Sequence, residues 1–349
     1  MLRIEVLPAE YGDALWIEYG SKSSPRRILV DCGTPSVFQS ALVERIRAVP
    51  EGKRRFELFV VTHIDADHIG GAVKLLRARK KLKVELKDVW FNGYKHLNDL
   101  LGAEMGEELS TEIKKQSLPW NAAFGGSAVR VPEAGVLPAI SLDGGMKLTL
   151  LSPYARQLED LEPVWEKECK KAGLIPGEPI ESEGEDEADD ILGAEIDVLE
   201  LAESDFQRDP SRANGSSIAF LLEYGKRRVL FGADAYAAVL LDSLARLPGA
   251  KPVKLDAFKI AHHGSRKNVS KELLHAVKCK NYLISTNGKK FSHPSKEAIA
   301  RIIAYGRKPT LRFNYATKFN DVWDDRALKK EHKYATVYPK KTGIALSFD

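Results

Sequence analysis

With 349 residues, 44% of them hydrophobic, and a net charge of only +4, the chain can bury one large core or two ordinary ones and reads as a soluble globular protein. No run approaches the roughly 18 apolar residues of a membrane-spanning helix, and Met1-Leu2-Arg3-Ile4-Glu5 lacks a signal-peptide pattern, so a cytoplasmic location without membrane attachment is expected. Cys32, Cys169 and Cys279 are too few and too scattered for a disulfide framework or a thiolate zinc ribbon.

Apolar runs predict strands at Leu2–Val6, Ala14–Tyr19 and Arg27–Val30. The third runs into Asp31-Cys32-Gly33, where Asp31 either braces a neighbouring turn or simply ends the strand before glycine. A helix over Val37–Ala48 and a strand at Leu58–Val61 follow. Directly after that strand comes Thr62-His63-Ile64-Asp65-Ala66-Asp67-His68-Ile69-Gly70-Gly71, with two imidazoles and two carboxylates in six residues. Carboxylates so close repel unless a cation or several donors neutralise them. A polar turn of solvated charge explains one of these aspartates but not the set, and divalent metal binding is the expectation.

Helices are expected over Ala72–Lys81 and Leu97–Lys115, on either side of a strand at Val89–Phe91, where Trp90, Asn92 and Tyr94 either flank the substrate or, for Trp90 above all, pack into the core. A strand at Lys147–Leu151 and a pair of helices within Ala155–Phe206 come next. The run from Glu181 to Asp190 reads as a flexible, self-repelling loop within an acidic stretch over about 178–205. Asn214-Gly215-Ser216-Ser217 precedes a strand at Ser217–Glu223. The strand Arg228–Phe231 leads to Asp234, which either neutralises cations or caps the helix expected over Tyr236–Ala245. The strand Ala257–Ala261 runs into His262-His263-Gly264-Ser265. After a helix over Lys271–Val277 and a strand at Tyr282–Ser285, Ser292-His293-Pro294-Ser295 opens a helix to Ala304. There His293 is either a substrate-side group or an ordinary surface histidine. Strands at Thr310–Phe313 and Gly343–Phe348 end the chain.

Taken in order, these segments resemble the metallo-β-lactamase-fold hydrolases, whose signature His-x-His-x-Asp-His stands here with Asp65 in place of the second histidine. The form Thr-His-x-Asp-x-Asp-His-x-Gly-Gly, with His-His-Gly-Ser and His-Pro-Ser downstream, is similar to the ComEC-like subgroup, the hydrolase domain of competence proteins, in a soluble stand-alone form. The resemblance covers most of residues 1–90 and 143–349. It implies an α/β fold, a four-layer αββα sandwich, and a single domain over 1–349 with insertions at 95–142 and 155–210. It implies metal ligands His63, Asp65, Asp67, His68, Asp234 and His263. Asp65 or Asp67 would orient the attacking water, His262 or His293 would contact the phosphate or act as the acid, and Asp31 would support the ligands from behind. Most members carry a further histidine before the strand at Ser217, whereas this chain has none between His96 and His262. Asn214 or Ser216 would stand there as a metal or substrate contact. One or two divalent ions are therefore expected, Zn²⁺ or Mn²⁺ with Mg²⁺ as a further option, since an oxygen-rich set suits the harder ions.

Thirteen of the 49 acidic residues fall between Glu178 and Asp205 with no Lys or Arg among them, which leaves about +17 on the rest of the chain. Such a surplus suits a polyanionic partner. Charge and resemblance together imply a metal-dependent phosphodiesterase or nuclease acting on DNA or another nucleic acid through metal-activated hydroxide. The alternatives are a hydrolase of a small phosphoester, such as a cyclic nucleotide or phosphocholine-type ester, and a catalytically weak, metal-stabilised binding module. No obligate protein partner is evident.

Overall fold

Alternation along the first strands sorts their side chains onto two faces. From Leu2–Val6, Leu15–Gly20, Pro25–Val30 and Leu58–Val60, Ile4, Ile17, Ile28 and Val60 enter one buried cluster. Trp16, Leu29 and Phe59 enter another. A sheet apolar on both faces has to be covered twice. The computed structural model, which describes residues 1–96, 104–171 and 196–349, shows how.

The first sheet has six strands in the order Ile344–Phe348, Leu2–Val6, Leu15–Gly20, Pro25–Val30, Leu58–Val60 and Val89–Trp90. The second has eight: Ala335–Val337, Thr310–Phe313, Val277–Ile284, Val253–Lys259, Arg227–Phe231, Ala219–Tyr224, Met146–Ser152 and Ala139–Leu142. Each sheet is antiparallel on one side and parallel on the other. Ile4, Ile17 and Val60 of the first sheet share their cluster with Leu148, Leu221 and Phe258 of the second, so the two sheets pack face to face. On the outer face of the first sheet, the helices Ala66–Leu82 and Glu104–Lys115 bury Ile69, Leu76 and Leu109 against Leu29 and Phe59. Parallel strands of the second sheet are joined through the helices Ala237–Arg246, Lys271–His275 and Lys296–Tyr305. Right-handed crossovers put such helices on one side of the sheet, and here that is the side away from the first sheet. The layers are helix, sheet, sheet, helix.

Several expected elements shift. The helix expected from Ala72 begins at Ala66, so Gly70 and Gly71 lie inside it rather than before it. Their missing side chains allow close packing: a Cβ on Gly70 would stand 2.4 Å from Pro35, and one on Gly71 2.4 Å from the Cys32 carbonyl oxygen. The strand expected at Ala257–Ala261 runs instead over Val253–Lys259, because His262 and His263 take left-handed backbone angles. The region expected to be helical from Val37 opens with a π-turn, Phe38–Leu42, before the α-helix Val43–Arg47. Short elements with weak apolar signal were not foreseen: the paired strands Arg55–Phe56 and Glu85–Leu86 and the helix Arg326–His332.

Trp90 is fully buried between the sheets. Glu104–Lys115 carries the described part of the helix expected from Leu97. The run Glu181 to Asp190 lies outside the described residues. The far end of the acidic stretch falls in the span where a pair of helices is expected, with Ala155–Lys171 at its start. Val198–Ala202 is a short helix capped by the Asp197 carboxylate and packed against Lys296–Tyr305. Among the described residues no helix is long and apolar enough to cross a membrane.

Candidate metal centre

In open sheets with parallel strands, ligands gather beyond the carboxyl ends of the strands, and the predicted residues stand there. Val30 is followed by Asp31, Val60 by the turn Thr62–Asp65, Phe231 by Asp234, and Lys259 by His262 and His263. A backbone hydrogen bond from Ile218 N to the Thr62 carbonyl (2.9 Å) ties the two sheets together at this edge. Two more pin the first turn of the helix Ala66–Leu82: Cys32 N donates to the His68 carbonyl (2.9 Å) and Asp13 N to that of Asp67 (3.1 Å). The second leaves so little room that a Cβ on Gly12 would lie 1.8 Å from the Asp67 carbonyl oxygen.

Side chains from sequence positions nearly 200 residues apart meet here. Asp67 Oδ2 lies 3.2 Å from His263 Nε2 and 3.8 Å from His68 Nε2. Asp234 Oδ2 lies 3.3 Å from His68 Nε2, 3.6 Å from His263 Nε2 and 3.9 Å from His63 Nε2. Asp65, at the helix start and partly open to water, brings Oδ2 to 3.6 Å from His63 Nε2. Two ligand groupings emerge among the described residues: His63, His68 and Asp234, and Asp13, His68 and His263.

The far nitrogens of two imidazoles are anchored. Asp31, buried and in the left-handed region (φ 57°), accepts from Thr62 N and Thr62 Oγ1 (both 2.8 Å) and lies 2.8 Å from His68 Nδ1. His263 Nδ1 donates to the Ser285 carbonyl (2.8 Å). Both rings thus carry their hydrogen on Nδ1. Their Nε2 atoms, left with lone pairs in the neutral state, face each other at 3.2 Å beside the Asp234 carboxylate. Lone pairs so placed repel unless a cation or a proton stands among them. His63 Nε2 and Asp234 Oδ1 are also buried without a hydrogen-bond partner among the described residues. The donor set therefore fits a divalent ion, as buried polar atoms otherwise find partners.

Without metal, protons fill that role. Burial opposes a charge on His68, but the Asp234, Asp67 and Asp31 carboxylates outweigh it and hold its pKa well above the ordinary histidine value. Burial likewise works against ionised Asp234, but His68, His263 and His262 hold its carboxyl well below the usual range.

His262 faces differently from His263, since successive left-handed residues (φ 46° and 52°) turn the two rings apart by 70°. Its Nδ1 meets Asn268 Oδ1 (2.9 Å) and Asp209 Oδ2 (3.3 Å), and its Nε2 points towards Asp234 Oδ2 (3.8 Å). Burial lowers its pKa, but Asp234 and Asp209 more than compensate, bringing it to about 10. His293 is buried with its ring 5.3 Å from that of His262. Burial and then the neighbouring His262 and His263 hold it well below the usual histidine value. Asn214 donates to Asp209 Oδ2 (2.8 Å) and approaches His262 Nδ1 (3.4 Å), on the His262 side of the centre. Ser216 Oγ donates to the Ala213 carbonyl in its own turn.

Sequence reading missed Asp13, Lys259, Asp209 and Asn268 as site residues. Lys259 is fully buried and paired with Asp13 (2.6 Å) behind His263. A lysine inside the apolar run Ala257–Ala261 was the available signal, because a buried charge needs a partner. Asp209 and Asn268 had no such signal, as Asx residues are common in turns.

Comparison with known proteins adds the family. No curated protein matches the chain. Among solved structures, it is similar to the metallo-beta-lactamase fold protein YhfI from Bacillus subtilis (14% identity, 99% of this chain and 100% of that one, TM-score 0.43). It is also similar to Zn²⁺-bound PqqB from Methylobacterium extorquens (12% identity, 100% of both chains, TM-score 0.42). A third is a diphosphatase from the PhnP family (10% identity, 99% of this chain and 98% of that one, TM-score 0.40). The family model of the metallo-beta-lactamase superfamily matches residues 12–289. That span runs from Gly12 through His63, Asp67 and Asp234 to His263 and beyond, and the chain belongs to the metallo-beta-lactamase superfamily, most of whose members are metal-dependent hydrolases.

Proposed function

We propose that this chain is a metal-dependent phosphodiesterase of nuclease type, a soluble relative of the ComEC-like hydrolase domains that acts on DNA or another nucleic acid. The observation that carries this reading is the meeting of the His68 and His263 Nε2 atoms at 3.2 Å between two carboxylates, Asp67 and Asp234. Asp67, His68, Asp234 and His263 would hold one ion, and His63, Asp65 and the shared Asp234 a second. Bound there, a divalent cation supplies Lewis acidity, which makes water a usable nucleophile near neutral pH and stabilises charge on a phosphoryl oxygen. The oxygen-rich composition favours Mn²⁺ or Mg²⁺ at the His63 side and Zn²⁺ or Mn²⁺ at the His263 side.

The protein's own groups would do the rest. Asp65, open to water, can accept a hydrogen from the attacking water and aim it. His262, held at Nδ1 by Asn268 and Asp209, presents Nε2–H to a phosphoryl oxygen or to the leaving oxygen. His293, neutral beside it, lines the same side.

The test is hydrolysis by purified protein with Mn²⁺, Mg²⁺ or Zn²⁺ of plasmid, single-stranded DNA, RNA and bis(p-nitrophenyl) phosphate. Cleavage of none of them with any metal refutes the reading. The thin set around His63 favours one alternative, a metal-stabilised module of little catalytic power. A single tightly held ion together with no hydrolysis would select it.

A further inference from the structure

Building on the phosphodiesterase reading, we infer that Tyr11 and Phe291 form a platform for a nucleobase beside the metal centre, with Lys290, which lies over both rings and would swing aside, and the neighbouring lysines serving the adjoining phosphates. The two rings pack edge to face, centroids 5.7 Å apart, although 279 residues separate them in the chain. Both are half-buried, each keeping surface open to solvent. Such residues usually find cover in a core, and here they lie beside His293 and the Gly12–Asp67 contact.

Their loops are stitched to each other and to the site. Asn287 N donates to the Glu10 carbonyl (2.8 Å), and Ser285 Oγ to that of Gly12 (2.8 Å). Gly12 presses directly on the Asp67 backbone. On the other side, the Phe291 ring lies 6.1 Å from that of His293, which in turn lies 5.3 Å from that of His262. The platform thus adjoins the Asp67 backbone through Gly12 and the His262 donor through the His293 ring. A phosphodiester at the centre would carry its base onto these rings.

Charge at the platform is basic. Lys289, Lys290 and Lys318 are exposed around it. The Lys290 ammonium stands 5.2 Å from the Tyr11 centroid and 4.9 Å from that of Phe291. Phe319, next to Lys318, packs against Gly288, where an added Cβ would meet its ring at 2.2 Å. Of the two carboxylates in the Tyr11 loop, Asp13 is paired with Lys259 (2.6 Å) and Glu10 accepts from Thr34 Oγ1 (2.6 Å). Aromatic rings with lysines tracking phosphate are the means by which proteins hold single strands without reading their sequence, since every base has a π-face. A base in a duplex is already stacked on both sides, so the platform selects unpaired bases.

The experiment measures binding by fluorescence anisotropy in EDTA, where no hydrolysis occurs, using a labelled 12-residue oligothymidylate and an abasic strand of the same length. Oligothymidylate is expected to bind the wild type about ten-fold more tightly than the abasic strand. Tyr11→Leu and Phe291→Leu should each remove most of that difference, and Phe291→Trp should keep it, which separates lost stacking from a damaged loop. Equal binding of the two strands by the wild type overturns the platform, as does a difference unchanged by Tyr11→Leu and Phe291→Leu. Hydrolysis without base preference would then leave the phosphodiesterase reading standing, and base preference with no hydrolysis of any ester would leave only the platform. Competition by thymidine monophosphate identifies the source of the base: full displacement at similar affinity indicates a free nucleotide, and weak displacement indicates a strand.

Discussion

Around His263, both imidazoles are tied at their far nitrogens, His68 by the Asp31 carboxylate and His263 by the Ser285 carbonyl. Around His63 the far nitrogen meets, among the described residues, only the Thr62 hydroxyl (3.0 Å), which also serves Asp31, and the neighbouring Asp65 is partly exposed. One side of the centre is preorganised and dry, while the other must draw its geometry from whatever binds there. Rings held by buried partners lose little freedom on binding an ion, and a solvated carboxylate loses more. The comparison predicts unequal occupancy, with the His263 side filling first.

Removing a group from the preorganised side should have the largest effect. Asp67→Ala and His263→Ala are expected to reduce metal-dependent hydrolysis to background and abolish the tighter ion in isothermal titration, while circular dichroism shows the fold retained. Tight binding in either variant breaks the comparison. Next comes the buried pair behind His263. Lys259→Met leaves Asp13 buried without its cation and should destabilise the protein by about 3–5 kcal/mol in urea unfolding, with no matching effect for an exposed lysine such as Lys254.

A smaller loss is expected at the brace. Asp31→Asn keeps the shape but weakens the anchoring of His68, and metal affinity at the tighter site should fall about 10–100-fold. Asp65→Asn should be milder still, lowering affinity for a second ion and leaving the first unchanged. If titration shows the first ion weakened more by Asp65→Asn than by Asp31→Asn, the two sides have been assigned the wrong way round.

A last expectation concerns pH. In metal-free protein the His262 pKa is raised to about 10, above its unfolded value. Its contribution to stability is then fully present below about pH 6.5 and lost as pH rises through about 10. Melting temperature in EDTA should therefore decline between pH 7 and pH 10, and His262→Asn should flatten that decline.

Much of this was legible in the chain. Alternating apolar residues in Leu2–Val6 and the uninterrupted runs at Ile28–Val30 and Leu58–Val61 marked strands, because burying one face or two leaves different patterns. The crowding of His63, Asp65, Asp67 and His68 marked a candidate cation site, because carboxylates gathered in one turn repel unless something neutralises them. Asp209 and Asn268 were silent, since an Asx residue in a turn looks the same whether it caps a backbone or holds a histidine. The short helix Arg326–His332, with none of its residues buried, had no apolar face to signal it.

Local chemistry, written in short stretches of sequence, determined which residues could bind a cation and which runs would become strands. Only the tertiary structure decided that Asp234 and His263 join the first four ligand candidates, that His262 turns away from His263, and that Tyr11 meets Phe291. The reason is physical: propensity and pattern act over a few residues, whereas these contacts arise from the packing of two sheets and the backbone hydrogen bonds between their strand ends.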